Sequence, residues 1–187
     1  MGRRELRIAG FGGQGVVLSG QIVGQAASVY DGSFATLTQS YGPEARGGAC
    51  TAEVVLSDEP IDYPYVMSPQ VAIILSQEAY TKYGRDLPTE TLIIIDTDLV
   101  RPDPSKNPAP LSIPATHMAR DMGRAVVANI IMLGFLAAVN DLVSYEALKE
   151  SVSTSVPRGT EEFNLEALEL GYGYGLKNES QSGAADG

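Results

Sequence analysis

The stretch Leu6-Arg7-Ile8-Ala9-Gly10-Phe11-Gly12-Gly13-Gln14-Gly15-Val16 decides how the rest of the chain is read. A short strand pattern, Leu6–Ala9, runs into glycines at Gly10, Gly12 and Gly15, spaced Gly-x-Gly-x-x-Gly, with Gly13 between them. An amphipathic helical pattern follows from Val16 to about Tyr30, where Asp31-Gly32 supplies a stop. Strand, glycine turn and helix in that order aim bare backbone amides and a helix N-terminus at one point, where an anion can sit.

Working outward, short apolar runs rich in β-branched residues alternate with longer helical patterns, the arrangement of crossover units on a mainly parallel sheet. Strands are expected at Phe34–Gln39, Thr51–Leu56, Val71–Leu75 and Leu92–Asp96. The last two are nearly uninterrupted aliphatics, as suits central strands buried on both faces. The predicted class is α/β: a single Rossmann-like domain, residues 1–176, with a mainly parallel sheet and flanking helices. Residues 101–114 carry Pro102, Pro104, Pro108, Pro110 and Pro114, which predicts an extended surface connection. Arg124–Val139 is apolar around most of its circumference. That predicts a helix buried on several sides, which needs more cover than one sheet face provides and which a partner subunit could supply. Helices are expected at Tyr145–Thr154 and at Asn164–Leu170, the second capped by Asn164 and broken at Gly171. The polar tail 177–187 reads as disordered.

Composition removes several functional classes. The chain has 187 residues, enough for one sizeable core, and a net charge of −10 with the acidic residues dispersed, which argues against nucleic acid or an anionic membrane as partner. With one cysteine, Cys50, and one histidine, His117, the chain can build neither a disulfide framework nor a Cys/His metal cage nor its own iron–sulfur cluster. The N-terminus enters a strand pattern with no apolar run suited to a signal peptide or anchor, so a cytoplasmic location is expected.

Two segments carry the chemical information. For the glycine loop Gly10, Gly12, Gly13, Gln14 and Gly15, three readings stay open: an autonomous dinucleotide site, an anion or cofactor group shared with another subunit, and glycines that only permit a tight turn and close packing. The first reading wants a carboxylate roughly 20 residues on, at the end of the next strand, where this chain has Thr38-Gln39-Ser40. The second segment, Gln39-Ser40-Tyr41-Gly42-Pro43-Glu44-Ala45-Arg46-Gly47-Gly48, joins two strands with an unusual density of hydrogen-bonding, charged and bending residues. Arg46 offers a planar fork for a phosphate or carboxylate, and the loop is expected at the carboxyl edge of the sheet, where open α/β folds hold ligands. A decorated turn with an internal Glu44–Arg46 contact is the bland alternative. His117 reads as structural, Cys50 as a buried inert thiol, and Tyr172-Gly173-Tyr174-Gly175 as either a docking strip or a packed helix end.

Gly10–Gly15, the loop Ser40–Gly48, the strand Glu53–Leu56 with Ser57-Asp58-Glu59-Pro60-Ile61, the Pro114-Ala115-Thr116 step and Ala128–Gly134 together resemble the gamma subunit, or equivalent domain, of the 2-oxoacid:ferredoxin oxidoreductases. The resemblance implies a complex in which thiamine-binding alpha and beta subunits and an iron–sulfur subunit hold thiamine diphosphate, Mg2+ and [4Fe-4S] clusters. In such a complex coenzyme A captures the acyl group, and ferredoxin or NAD accepts the electrons. This chain alone would bind no cofactor and supply no catalytic residue. The resemblance further implies that Ser40, Tyr41, Glu44 and Arg46 face the shared coenzyme A site and help to close it. Rivals from other classes are a free-standing nucleotide-binding reductase, for which Tyr145 and Lys149 have the right spacing but no preceding serine strand, and a purely structural scaffold subunit.

Overall fold

The computed structural model describes residues 2–41, 48–84, 87–105 and 108–182, with side chains through residue 178 except that of Tyr41. Its chain order is β1 (Arg4–Phe11), α1 (Val16–Gln25), β2 (Phe34–Tyr41), β3 (Ala49–Ser57), β4 (Val71–Ile74), α2 (Gln77–Ala79), β5 (Leu92–Asp96), β6 (Leu111–Ile113), α3 (Ala115–Asp121), α4 (Ala128–Val139), α5 (Tyr145–Ser155) and α6 (Glu161–Ser182). Wider π-helical turns extend α1 over Ala26–Tyr30 and α2 over Tyr80–Gly84.

Six strands form one sheet in the order β2-β3-β1-β4-β5-β6. β1, β4, β5 and β6 pair in parallel, whereas β3 lies antiparallel between β1 and β2. Five strands thus share a direction and β3 alone opposes it. The reason is chain length: a parallel crossover needs a dozen residues or more, and the link from Tyr41 to Ala49 is too short for one, so β2 and β3 form a hairpin. The expected α/β class with a mainly parallel sheet is what the chain adopts. β1 and β4 are its middle strands, so the expectation of two central strands holds for β4, whereas β5 lies between β4 and the edge strand β6; the aliphatic runs of β4 and β5 are buried and face a layer on each side. On one face Leu6, Ile8, Val54 and Ile94 pack with residues of α1 and α3 to α6. On the other, Ala9, Ile74 and Ile95 pack with α2 through Ala79 and Tyr80.

Helix ends follow local chemistry. Gly15 begins α1 at φ 73°, and Gly32, also left-handed at φ 72°, turns the chain after it. Ser76 Oγ accepts from the Ala79 amide, and Ser144 Oγ accepts from Ala147, capping α2 and α5. Three expectations need correction. The proline-rich connection ends in a short edge strand, β6, where no proline interrupts Leu111–Ile113. The final helix starts at Glu161, and Asn164 is inside it with Nδ2 donating to the Thr160 carbonyl; it is not the cap. Gly171 does not break that helix, which continues to Ser182 and so carries regular structure past residue 177. Tyr172–Gly175 is accordingly packed helix. The glycines are kept for proximity. A Cβ on Gly134 of α4 would sit 1.9 Å from the Leu168 carbonyl oxygen, and one on Gly171 would sit 1.9 Å from that of Ile131. Backbone touches backbone at this crossing, so α6 of the same chain supplies the cover that α4 needs. Phe135, Leu136 and Leu168 are sealed there, each contributing roughly 1.5–3 kcal/mol by burial.

Candidate functional site

The parallel strands end together at one edge, and the glycine loop stands over the ends of β1 and β4. Gln14 folds back beneath the loop: its Oε1 accepts from the Phe11 amide at 2.6 Å, and its Nε2 donates to the Leu75 carbonyl at 2.8 Å. That carboxamide ties the end of β1 to the end of β4 and fills the space a Cβ on Gly10 would enter, 2.7 Å from Gln14 Oε1. Gly15 is closed from the other side. Asn129, buried at the start of α4, donates to Ser19 Oγ at 3.2 Å, and a Cβ on Gly15 would lie 2.4 Å from its Nδ2. Gly12 and Gly13 have open space where a Cβ would be. The four glycines therefore divide by role: Gly10 and Gly15 make room for neighbouring side chains, and Gly12 and Gly13 leave bare backbone at the surface.

Beside the loop lies a cavity of about 310 Å³ lined by Gly13, Gln14, Leu75, Asp96, Thr116, Arg120 and Asn129, among others. Asp96, at the end of β5, was not among the expected site residues. It is fully buried, and its two oxygens are taken: Oδ1 accepts from the Asp98 amide at 3.0 Å, and Oδ2 accepts from the Thr116 amide and hydroxyl at 3.0 and 2.6 Å. Burial raises its pKa, opposed by those hydrogen bonds, with the neighbouring Asp98 charge adding to the rise. Its sequence signal was a lone carboxylate closing the apolar run Leu92–Ile95. Asp96 joins the turn after β5 to the start of α3 and so holds the cavity wall.

The second segment departs from the same edge. Gly10, Cys50 and Tyr41 are cross-strand neighbours in one row, and the row before it contains Ala9, Thr51 and the exposed Ser40. The backbone of Tyr41 is thereby two strand spacings, about 10 Å, from Gly10. Glu44 and Arg46 lie outside the described residues, as does the postulated contact between them. Among the described residues this edge lacks the carboxylate of a nicotinamide site. In such a site a parallel strand beside β1 ends in the ribose-binding carboxylate; here antiparallel β3 occupies that position and starts there with Ala49 and Cys50.

Other candidates lie apart from this edge or are already engaged. Cys50 is buried and its thiol pKa is pushed up by desolvation, the reverse of what a nucleophile requires. His117 is exposed beside Asp121, and its amide donates to Asp98. Tyr145 stacks on Tyr172 at 3.9 Å, and burial raises its pKa, aided by Glu169 and Glu146. Lys149 pairs with Glu146, so the Tyr145–Lys149 spacing assembles no acid–base pair. Among the described residues no three His, Cys, Asp or Glu side chains come together as a metal site, and no helix is long and apolar enough to cross a membrane.

The chain is thus a Rossmann-like domain whose glycine loop is packed from inside and whose sheet edge, among the described residues, carries no ribose-binding carboxylate. The family model described as pyruvate ferredoxin/flavodoxin oxidoreductase matches residues 5–174. The 2-oxoglutarate synthase subunit KorC of Methanocaldococcus jannaschii is 48% identical over 173 residues, 91% of this chain and 92% of that one. The pyruvate synthase subunit PorC of Methanothermobacter marburgensis is 30% identical over 172 residues, 90% of this chain and 95% of that one. Among solved structures, the gamma subunit of a keto/oxoacid ferredoxin oxidoreductase from Geobacter sulfurreducens superposes with a TM-score of 0.85 at 40% identity, covering 95% of this chain and 98% of that one. The chain belongs to the pyruvate ferredoxin/flavodoxin oxidoreductase family, in its gamma-subunit form.

Proposed function

We propose that this chain is the gamma subunit of a cytoplasmic 2-oxoglutarate:ferredoxin oxidoreductase, a complex that decarboxylates the 2-oxoacid in the presence of coenzyme A, releasing acyl-CoA and CO2 and passing two electrons to ferredoxin. The choice of acid rests on one observation: identity to a 2-oxoglutarate synthase subunit is 48%, against 30% to a pyruvate synthase subunit over a similar length. Thiamine diphosphate with Mg2+ supplies the carbanion chemistry of such a reaction, and clusters carry single electrons. A cluster does not fit this chain, whose only cysteine is buried. Alpha, beta and iron–sulfur subunits are the partners implied.

This subunit's own task is positional. The amides of Gly12 and Gly13, before the uncapped N-terminus of α1, suit a phosphate presented by a neighbouring chain. Gln14 and Asn129 hold that loop rigid from inside. Ser40, Tyr41, Glu44 and Arg46, on or beyond the end of β2 in sequence, are the residues we assign to the shared coenzyme A site, with Arg46 the one whose chemistry suits a phosphate. Closing the site would also exclude water and strengthen the charge interactions within.

The test is co-purification of the chain with its partner subunits from the native host, followed by viologen reduction with a panel of 2-oxoacids and coenzyme A. Activity confined to 2-oxoglutarate is expected; activity on pyruvate or a branched-chain acid alone overturns the substrate assignment. In the same complex Arg46→Ala should raise the KM for coenzyme A about tenfold or more, the effect of losing one charge-assisted contact. An unchanged KM and turnover in an intact complex would make the subunit a scaffold.

A further inference from the structure

The opposite edge of the sheet, where the parallel strands begin, presents a second constructed surface. After β3 the chain runs irregularly through residues 58–70 and lies over the amino ends of β1 and β2 on the face that α2 covers only at the carboxyl ends, near Ala9 and Ala49. This irregular segment is unusually well fastened. Arg3 donates through Nη1 and Nη2 to the carbonyls of Tyr63 and Tyr65 at 2.7 and 2.6 Å. Glu5, only 4% exposed, accepts from the amides of Met67 and Ser68, both at 2.7 Å, and pairs with Arg3 Nε at 2.7 Å. Thr36 Oγ1 donates to the Pro64 carbonyl.

Apart from the Arg3–Glu5 pair these bonds hold backbone, and while Val66 is buried, Tyr63, Tyr65 and Met67 face out. Tyr63, Tyr65 and Met67 are 51%, 54% and 72% exposed, the two rings tilted against each other with centroids 5.4 Å apart. Phe34, at the start of β2, is 47% exposed at the same edge. A buried carboxylate and a guanidinium thus fix the backbone that displays two tyrosines and a methionine to water. Tyrosine and methionine are enriched at the centres of protein interfaces, and a prefixed backbone removes much of the ordering entropy that association costs.

Charge identifies the occupant. Arg3 is engaged by Glu5 and two carbonyls and Arg7 by Glu53, while Glu59 and Asp62, just before the aromatic pair in sequence, are exposed. A second copy of the chain, or an anionic membrane, would set like charges against this rim. We propose that the Tyr63–Met67 shelf is where another protein subunit of the same complex docks, through a surface apolar at its centre and rich in lysine and arginine around it. The assignment rests on the gamma-subunit reading above.

The test uses the complex as purified, with wild-type chain, with Tyr63→Ala/Tyr65→Ala/Met67→Ala, and with Glu59→Lys/Asp62→Lys. Retention of the chain is followed by sedimentation at low and high salt. The triple variant should bind its partners at least roughly 100-fold more weakly while the isolated chain melts as wild type, since the three side chains are exposed. The charge reversal should slow association roughly tenfold at low salt and abolish its salt dependence. Full retention of both variants in a complex that wild type also forms overturns the docking surface alone. A wild-type chain that associates with no thiamine-binding or cluster-binding subunit overturns the gamma-subunit reading together with it. Should the triple variant fail to fold, amide exchange on the wild type decides: residues 58–70 should gain protection on assembly, and unchanged exchange there refutes the proposal.

Discussion

Two alanine substitutions on one helix should act in opposite directions. At Gly171 a Cβ would lie 1.9 Å from the Ile131 carbonyl oxygen, about 1.5 Å short of the ordinary 3.4 Å contact, and the atom it meets is backbone that no rotamer change can move. α6 must therefore retreat from α4 by about that distance, loosening Phe135, Leu136 and Leu168 at the crossing. Overpacking of this severity costs about 3 kcal/mol, and the gain in helix propensity from glycine to alanine returns about 1, leaving Gly171→Ala about 2 kcal/mol less stable. At Gly173, two residues on in the same helix, nothing lies within 4 Å of the added Cβ. Only the propensity term acts there, so Gly173→Ala should be more stable by up to about 1 kcal/mol. In a chain of this size the first change lowers the melting midpoint by about 4–8 °C and the second raises it by up to about 4 °C. Urea and thermal unfolding of the isolated chain measure both. If Gly171→Ala proves as stable as Gly173→Ala, the backbone-to-backbone crossing is not there, and the account of α6 as the cover for α4 fails with it.

Two further outcomes follow from the carboxyl edge. Gly15→Ala should destabilise by about 2 kcal/mol, because Gly15 is left-handed and its Cβ would strike Asn129. Adding Asn129→Ala should recover part of that loss, so a double-mutant cycle that shows strict additivity would refute the contact. Asp96→Asn should destabilise by about 1–3 kcal/mol, since both oxygens accept backbone amides and a carboxamide must turn its NH2 toward one of them. The folded pKa of Asp96 is raised, so the native chain takes up its proton at a higher pH than the unfolded chain. Wild type therefore gains stability relative to Asp96→Asn as pH falls from above that raised value toward the ordinary carboxyl value, and denaturation midpoints that converge over this window would contradict the reading.

The parts of the fold legible in sequence were those governed by periodicity and local chemistry. The aliphatic runs of β4 and β5, the glycine turn into α1 and the stop at Gly32 are all decided within a few residues. The end of the last helix was misjudged because glycine in a helix reads as a stop when only propensity is considered. What keeps Gly171 helical is the backbone of α4, distant in sequence and invisible to local rules. The direction of β3 could have been read from the short link between Tyr41 and Ala49, whereas its insertion beside β1 could not, because strand order depends on contacts made across the whole chain. At the candidate site the glycine spacing identified the loop but not its division of labour. That division depends on Gln14 and Asn129 entering the space beneath, and Asp96 went unnoticed because a single carboxylate ending a strand has no pattern of its own.

The crossing of α4 and α6 also orders events in time. α4 leaves the ribosome well before α6, the helix whose backbone meets its own at Ile131 and Gly134. During that interval the nascent chain presents an aliphatic helix face to solvent, the condition under which half-made domains associate wrongly. A pause in synthesis or a premature stop ahead of Glu161 would therefore leave α4 without the helix that covers it.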